Sequence, residues 1–184
     1  MAKKIGAIVS LSIIGILIIA TIIMANVSID YSINCAKPTD IRVMYGKTER
    51  VETEDVDKIV SIISNASKEK SLTALFNGNL NKKAEIKVAS SVGKTIPSSA
   101  DYYVKYRYTN PQNLKDGNAN YKDADGNTVT YESLLFTVDD NAENSVINVY
   151  VIQDNDKPNV YTYYYELDAD FSELYNLLNN KYGD

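Results

Sequence analysis

The side chains best equipped for chemistry in this chain are carboxylates gathered in short turns, and no histidine accompanies them. Asp123-Ala124-Asp125-Gly126-Asn127 sets oxygen ligands at the 1, 3, 5 spacing of a calcium loop, a pattern suited to a hard cation wanting 6 to 8 oxygens. Asp154 and Asp156 flank Asn155 in a second acidic turn. In a meander of antiparallel strands both turns lie at one end of the sheet, so Asp123, Asp125, Asn127, Asp154 and Asp156 are the candidate metal ligands of a cation-responsive module. The calcium pattern is incomplete, because Gly126 falls at position 4 instead of 6 and Leu134 stands where a bidentate Glu would close the loop. Asp125-Gly126 is also a strong hairpin-turn signal, which explains these residues more simply. Asp139, Asp140 and Glu143 form a third acidic group. Paired acids whose surroundings split their pKa values run glycoside hydrolysis, which makes a small carboxylate hydrolase the alternative reading. Nothing apolar in that short turn is expected to raise a pKa, so a solvated turn is the simpler account. Ser91-Val92-Gly93-Lys94-Thr95 ends like a phosphate-binding loop, but Val88 occupies the place of its first glycine, and an ordinary loop is expected.

Without histidine the chain has no Ser-His or Cys-His nucleophile pair and none of the commonest general acid/base, and most zinc sites are closed to it. No catalytic signature remains, so the chain reads as a binding or interaction domain rather than an enzyme, with no cofactor implied. Cys35 is the one cysteine, which excludes an intrachain disulfide and leaves core packing to hold the fold. Ser32 and Asn34 do not suit a lipid-modified cysteine. Tyrosine is the other unusual resource, with 15 in the chain. Its ring fills sheets and its hydroxyl serves recognition equally well. Tyr161, Tyr163 and Tyr165 alternate with Tyr164 along one strand, and both faces of that strand are not expected to be deep core. An exposed row of Tyr161, Tyr163 and Tyr165 is therefore the expected binding surface, for glycan or peptide. The formal net charge is −5, with acids prevailing beyond Lys115, which argues against a nucleic-acid partner.

Hydrophobic periodicity shows what would position these groups. Ile41 to Tyr45 alternates, Gly46-Lys47 supplies a turn, and Thr48 to Val51 returns as a hairpin. A helix follows, with Thr53 placed to cap it, acids in the first turn, and Val56, Ile59, Val60 and Ile63 as its apolar stripe. Between 64 and 100 the signal is poor, with a helical turn over Ser71 to Phe76 and a short strand over Ala84 to Ala89. Tyr102, Val104, Tyr106 and Tyr108 alternate with Tyr103, Lys105, Arg107 and Thr109 along a strand that Asn110-Pro111 is expected to end. Residues 112–127 read as loop. Strands recur over Thr128 to Val138, Val146 to Gln153 and Val160 to Leu167. A last helix is expected from Asp170, with Glu173 completing an acidic relative of the capping box and Phe171, Leu174, Tyr175 and Leu178 facing inward. The fold class is α+β: an antiparallel β-meander sheet packed by two amphipathic helices.

Ahead of this domain, residues from Ile5 to Ile29 carry no charge, bracketed by Lys3-Lys4 and Asp30. Ile5 to Met24 as a helix rises about 30 Å, the thickness of a bilayer's hydrocarbon core. The apolar run is too long for a signal-peptide core, and Ile23-Met24-Ala25 is a poor cleavage site. Lysines favour the cytoplasmic side, so the N-terminus is expected inside and the domain outside. The expected organisation is a cytoplasmic tail at 1–4, a transmembrane helix at 5–25, a linker at 26–37 and an extracytoplasmic domain at 38–184. Within the span, Gly6 and Ser10 form a small-xxx-small pair that would let another helix approach.

Ile41 to Ile63, a hairpin running into a capped helix, with the later strands and Asp170 to Leu178, resembles the ectodomains of small membrane-anchored or lipid-anchored proteins of low-GC Gram-positive bacteria, in families of unknown function. The resemblance implies a cell-envelope location and the absence of a known activity; an envelope protein or cell-wall polymer is the expected partner. It supplies no site residues.

Overall fold

The computed structural model describes residues 13–21, 28–30, 35–66, 68–70, 84–97, 99–143 and 145–183. They belong to two compact units, one drawn from residues 1–30 and 68–82, the other from 31–67 and 83–184. In the smaller unit residues 13–21 are helical (α1), and Ile13, Ile14, Ile16, Leu17, Ile18 and Ile19 are each more than half exposed. Two short strands, β1 (Ser28–Asp30) and β4 (Lys68–Lys70), pair antiparallel there. Among the described residues no helix is long and apolar enough to cross a membrane. The tail at 1–4, the Gly6/Ser10 pair, most of the 5–25 span and the Ser71 to Phe76 turn lie outside the described residues.

The larger unit is α+β, built on a 7-stranded antiparallel sheet. Its strands are β2 (Asp40–Tyr45), β3 (Thr48–Glu52), β5 (Glu85–Val88), β7 (Tyr102–Asn113), β10 (Thr130–Val138), β11 (Ser145–Ile152) and β13 (Tyr163–Ala169), and they lie in the order β3-β2-β7-β10-β11-β13-β5. Helices α2 (Val56–Ala66) and α3 (Ser172–Tyr182) pack on it. Two small pairs complete the unit: β6 (Lys94–Thr95) with β12 (Val160–Tyr161), and β8 (Lys115–Asp116) with β9 (Ala119–Asn120). The run β7-β10-β11-β13 is the expected meander.

Alternation along the strands sorts side chains to two faces. Ile41, Val43, Val104, Tyr106, Leu134, Phe136, Val149, Val151, Tyr165 and Leu167 point to one face. There they join Ile59, Ile62, Ile63, Phe171, Leu174 and Leu178 in the main core. The opposite face carries its own apolar cluster of Ala89, Leu135, Tyr150, Ile152 and Tyr161, with Met44, Ile96, Tyr103 and Tyr164 packed beside it. Both faces therefore hold buried side chains, against the expectation from domain size. Residues 89–97 fold back to make this possible: the Ala89 N–H donates to the Thr162 carbonyl at 2.7 Å, the Ile96 N–H to that of Asn159 at 3.0 Å, and the Tyr103 hydroxyl to that of Pro97.

Three local expectations need correction. Pro111 does not end β7. The register against β10 shifts between Tyr131↔Gln112 and Ser133↔Arg107, and Pro111 sits in that irregularity, where a missing N–H costs no ladder bond. Thr53 does not cap α2. The Glu52 carboxylate takes that role, accepting the N–H groups of Glu54 at 2.9 Å and Asp55 at 3.1 Å. At α3 the capping box is absent: Phe171 stands at the N-cap without a side-chain cap bond, and Asp170 accepts the Ser172 N–H at 2.9 Å instead.

Among the described residues one core group is left unsatisfied. The Tyr106 hydroxyl is buried with no hydrogen-bond partner, beside Cys35, and burial pushes its pKa well up. Cys35 is a partly buried free thiol packed against the main core, and burial raises its pKa above the ordinary value despite a hydrogen bond with Tyr108. Because an unpaired buried hydroxyl is a net cost, Tyr106→Phe is expected to leave the fold as stable or to stabilise it by about 1 kcal/mol. A thermal melt that falls for this variant would show that the hydroxyl has a partner in solution.

Candidate binding face of the sheet

The acidic turns are built from their own backbones. Asp123 Oδ1 accepts the N–H groups of Asp125 at 3.0 Å and Asn127 at 2.9 Å, and Gly126 adopts φ +84°, a left-handed conformation that suits glycine. Asp154 Oδ1 accepts the Asp156 N–H at 2.9 Å, and its other oxygen lies 3.9 Å from the Lys157 ammonium. The turn at 154–156 is tied to the start of β10, where Glu132 accepts the Asn155 N–H at 2.8 Å and the Ser133 hydroxyl donates to Asn155 Oδ1 at 2.7 Å. Ser133 pairs with Ile152, so the turn before β10 and the turn after β11 do leave the same end of the sheet. No group of three or more His, Cys, Asp or Glu among the described residues is placed to hold a metal ion, so Asp123, Asp125, Asp154 and Asp156 do not converge on one.

The third acidic group departs from its expectation. Burial pushes the Asp139 pKa up, the Asp101 N–H pulls it down, and the charges of Asp101 and Asp140 push it up again. Its Oδ1 accepts that N–H at 3.1 Å, while Asp101 Oδ2 accepts the Asp140 N–H at 3.1 Å, so the carboxylates lock two loops together. The glycine-lysine-threonine segment is a turn at Gly93 (φ +73°) that enters strand β6 and not a helix, so no phosphate loop forms.

The tyrosine row is corrected most clearly. Tyr161 belongs to β12, and the break at Thr162 places it with Tyr164 in the outer cluster, the two rings edge to face at 5.9 Å. Tyr165 faces the main core, where its hydroxyl donates to the Lys115 carbonyl at 2.7 Å. Only Tyr163 is partly open, against Tyr121 at 5.5 Å. Tyr161, Tyr163 and Tyr165 therefore share no exposed surface.

The open part of the outer face lies toward β2 and β3, and it is charged. Arg42 on β2 pairs with Lys105 on β7, and Asp40 with Arg107, so three cations stand on neighbouring positions of one face. Lys105 is 7% exposed, with Leu135 of the outer apolar cluster opposite it on β10. Burial lowers its pKa; Glu49 and Asp40 oppose this and Arg107 and Arg42 add to it. Arg42 donates to Glu49 Oε1 at 2.9 Å and to Asp40 Oδ1 at 3.4 Å, and Arg107 lies 3.9 Å from Asp40 Oδ2. Among the described residues Lys105 takes part in no ion pair. The alternation of Tyr102 to Thr109 already put Lys105 and Arg107 on one face, but their partner Arg42 depends on strand register, which periodicity does not contain.

No family model matches this sequence, and no curated protein or solved structure matches it.

Proposed function

We propose that the chain is a single-pass membrane-anchored domain of the bacterial cell envelope, with its N-terminus cytoplasmic and its folded domain extracytoplasmic, and that it binds an envelope protein or cell-wall polymer without catalysing a reaction. The anchor rests on the charge-free run from Ile5 to Ile29 and on α1, whose isoleucines and Leu17 are each more than half exposed. The observation that carries the binding reading is the row Arg42, Lys105 and Arg107 on the outer face of the sheet.

Two measurements test this. In cells producing the full chain, alkaline carbonate should leave the protein in the membrane pellet, and protease added to wall-stripped cells should digest the domain. Recovery of a shortened chain from the medium, or digestion only after the membrane is opened, would overturn the anchor. For the face itself, benzoylphenylalanine in place of Val51, which is 54% exposed and paired with Arg42, should photo-crosslink an envelope component, and Lys105→Glu should abolish the product.

A further inference from the structure

We infer that Arg42, Lys105 and Arg107 form a binding site for a phosphate-type oxyanion; this rests on the binding reading above and names its ligand class. Lys105 lays its stem along the outer apolar cluster and is 7% exposed as a residue, while its ammonium is not among the buried polar atoms left without a partner and so keeps a path to solvent and to a solute anion. Among the described residues that ammonium has no ion pair: the two acids nearest it in the sheet are engaged elsewhere, Glu49 by Arg42 at 2.9 Å and Asp40 by Arg42 at 3.4 Å and Arg107 at 3.9 Å. The arrangement also places like charges in the worst relation a sheet offers. Arg42 is directly opposite Lys105, and Arg107 follows two residues along the same face. Such a local cost is what a fold carries where a ligand repays it.

The surplus is one positive charge, three cations against Asp40 and Glu49, in a chain whose formal net charge is −5, so it does not follow from composition. Arginine brings planar forks of N–H donors and lysine a compact point charge. Donors from two strands around an ammonium suit an anion whose oxygens point in several directions. A carboxylate, by contrast, is matched by a single arginine fork and needs no third cation.

The test uses the full chain in phosphatidylcholine nanodiscs at low salt, titrated separately with inorganic phosphate, with a glycerol-phosphate oligomer and with acetate. Parallel nanodiscs containing phosphatidylglycerol supply the headgroup. At least one phosphate-bearing probe is expected to bind, more tightly than acetate, with affinity falling as salt rises and dropping at least tenfold in Lys105→Met and in Arg107→Gln. Which probe binds separates a free ion, a polymer and a lipid as the source. Lys105→Met keeps the buried stem, and an unchanged circular dichroism spectrum establishes that it folds. Absence of phosphate binding by the parent, equal affinity for acetate, or unchanged affinity in both folded variants would overturn the site. If phosphate fails while the crosslink from position 51 persists and still depends on Lys105, the ligand class is wrong and the binding reading stands.

Discussion

Glu52→Gln should cost about 3 kcal/mol of folding stability at neutral pH and should flatten the loss of stability in acid. Glu52 is 4% exposed and joins three elements: its Oε1 accepts the N–H groups of Glu54 and Asp55 at the start of α2 and the Lys181 ammonium of α3 at 2.9 Å, and its Oε2 accepts the Tyr182 hydroxyl at 2.5 Å. Lys181 also reaches Asp55 at 2.8 Å and Glu54 at 3.1 Å, and the Tyr182 ring stacks on Tyr45 at 5.1 Å. Burial alone would push the Glu52 carboxyl up, but Tyr182, Lys181 and the two N–H groups outweigh it and hold it at about 2 against an ordinary 4.5. A carboxyl depressed by that much contributes about 3 kcal/mol, fully present above the unfolded value of 4.5 and lost as pH falls toward about 2. Chemical denaturation followed by tyrosine fluorescence at neutral pH and at about pH 3 checks both parts. The parent should weaken across that window and the variant should not. Equal midpoints for the two proteins at neutral pH would mean that the ion pair seen here does no more than a solvated one.

The same corner shows where a linear reading stops. Ile41 to Tyr45, the Gly46-Lys47 turn and the stripe at Val56, Ile59 and Ile63 are local patterns, and periodicity of two or 3.6 residues reports them directly. The choice between Thr53 and Glu52 as the group that satisfies α2 was not local. It is decided by Lys181 and Tyr182, far along the chain, which make a carboxylate at Glu52 the better acceptor. Register hid the cationic row in the same way, since Arg42 meets Lys105 only through the pairing of β2 with β7. The acidic turns were legible as turns because Asp and Asn bond to the backbone within two to four residues. The short-range bonds that make them recognisable also occupy the Oδ1 oxygens of Asp123 and Asp154 that a cation would use.

Tyr165→Ala should cost about 3–5 kcal/mol, the range for truncating a buried aromatic ring, and this separates a core residue from a surface one. An alternating run of tyrosines does not say which face is covered; that depends on residues 89–97 returning over the outer face and on the break at Thr162 that turns Tyr161 away from Tyr163. With its ring 2% exposed and its hydroxyl on the Lys115 carbonyl, Tyr165 ties the β8 segment to the main core. Tyr165→Phe keeps the ring and loses only that bond, for about 1 kcal/mol, so the two variants divide packing from hydrogen bonding. Tyr163→Ala, at a half-buried ring, should lie between the parent and Tyr165→Ala. An exposed tyrosine would tolerate alanine within about 0.5 kcal/mol. A Tyr165→Ala protein with the parent's denaturation midpoint would therefore return this residue to the surface and remove the argument that β13 turns this face to the core.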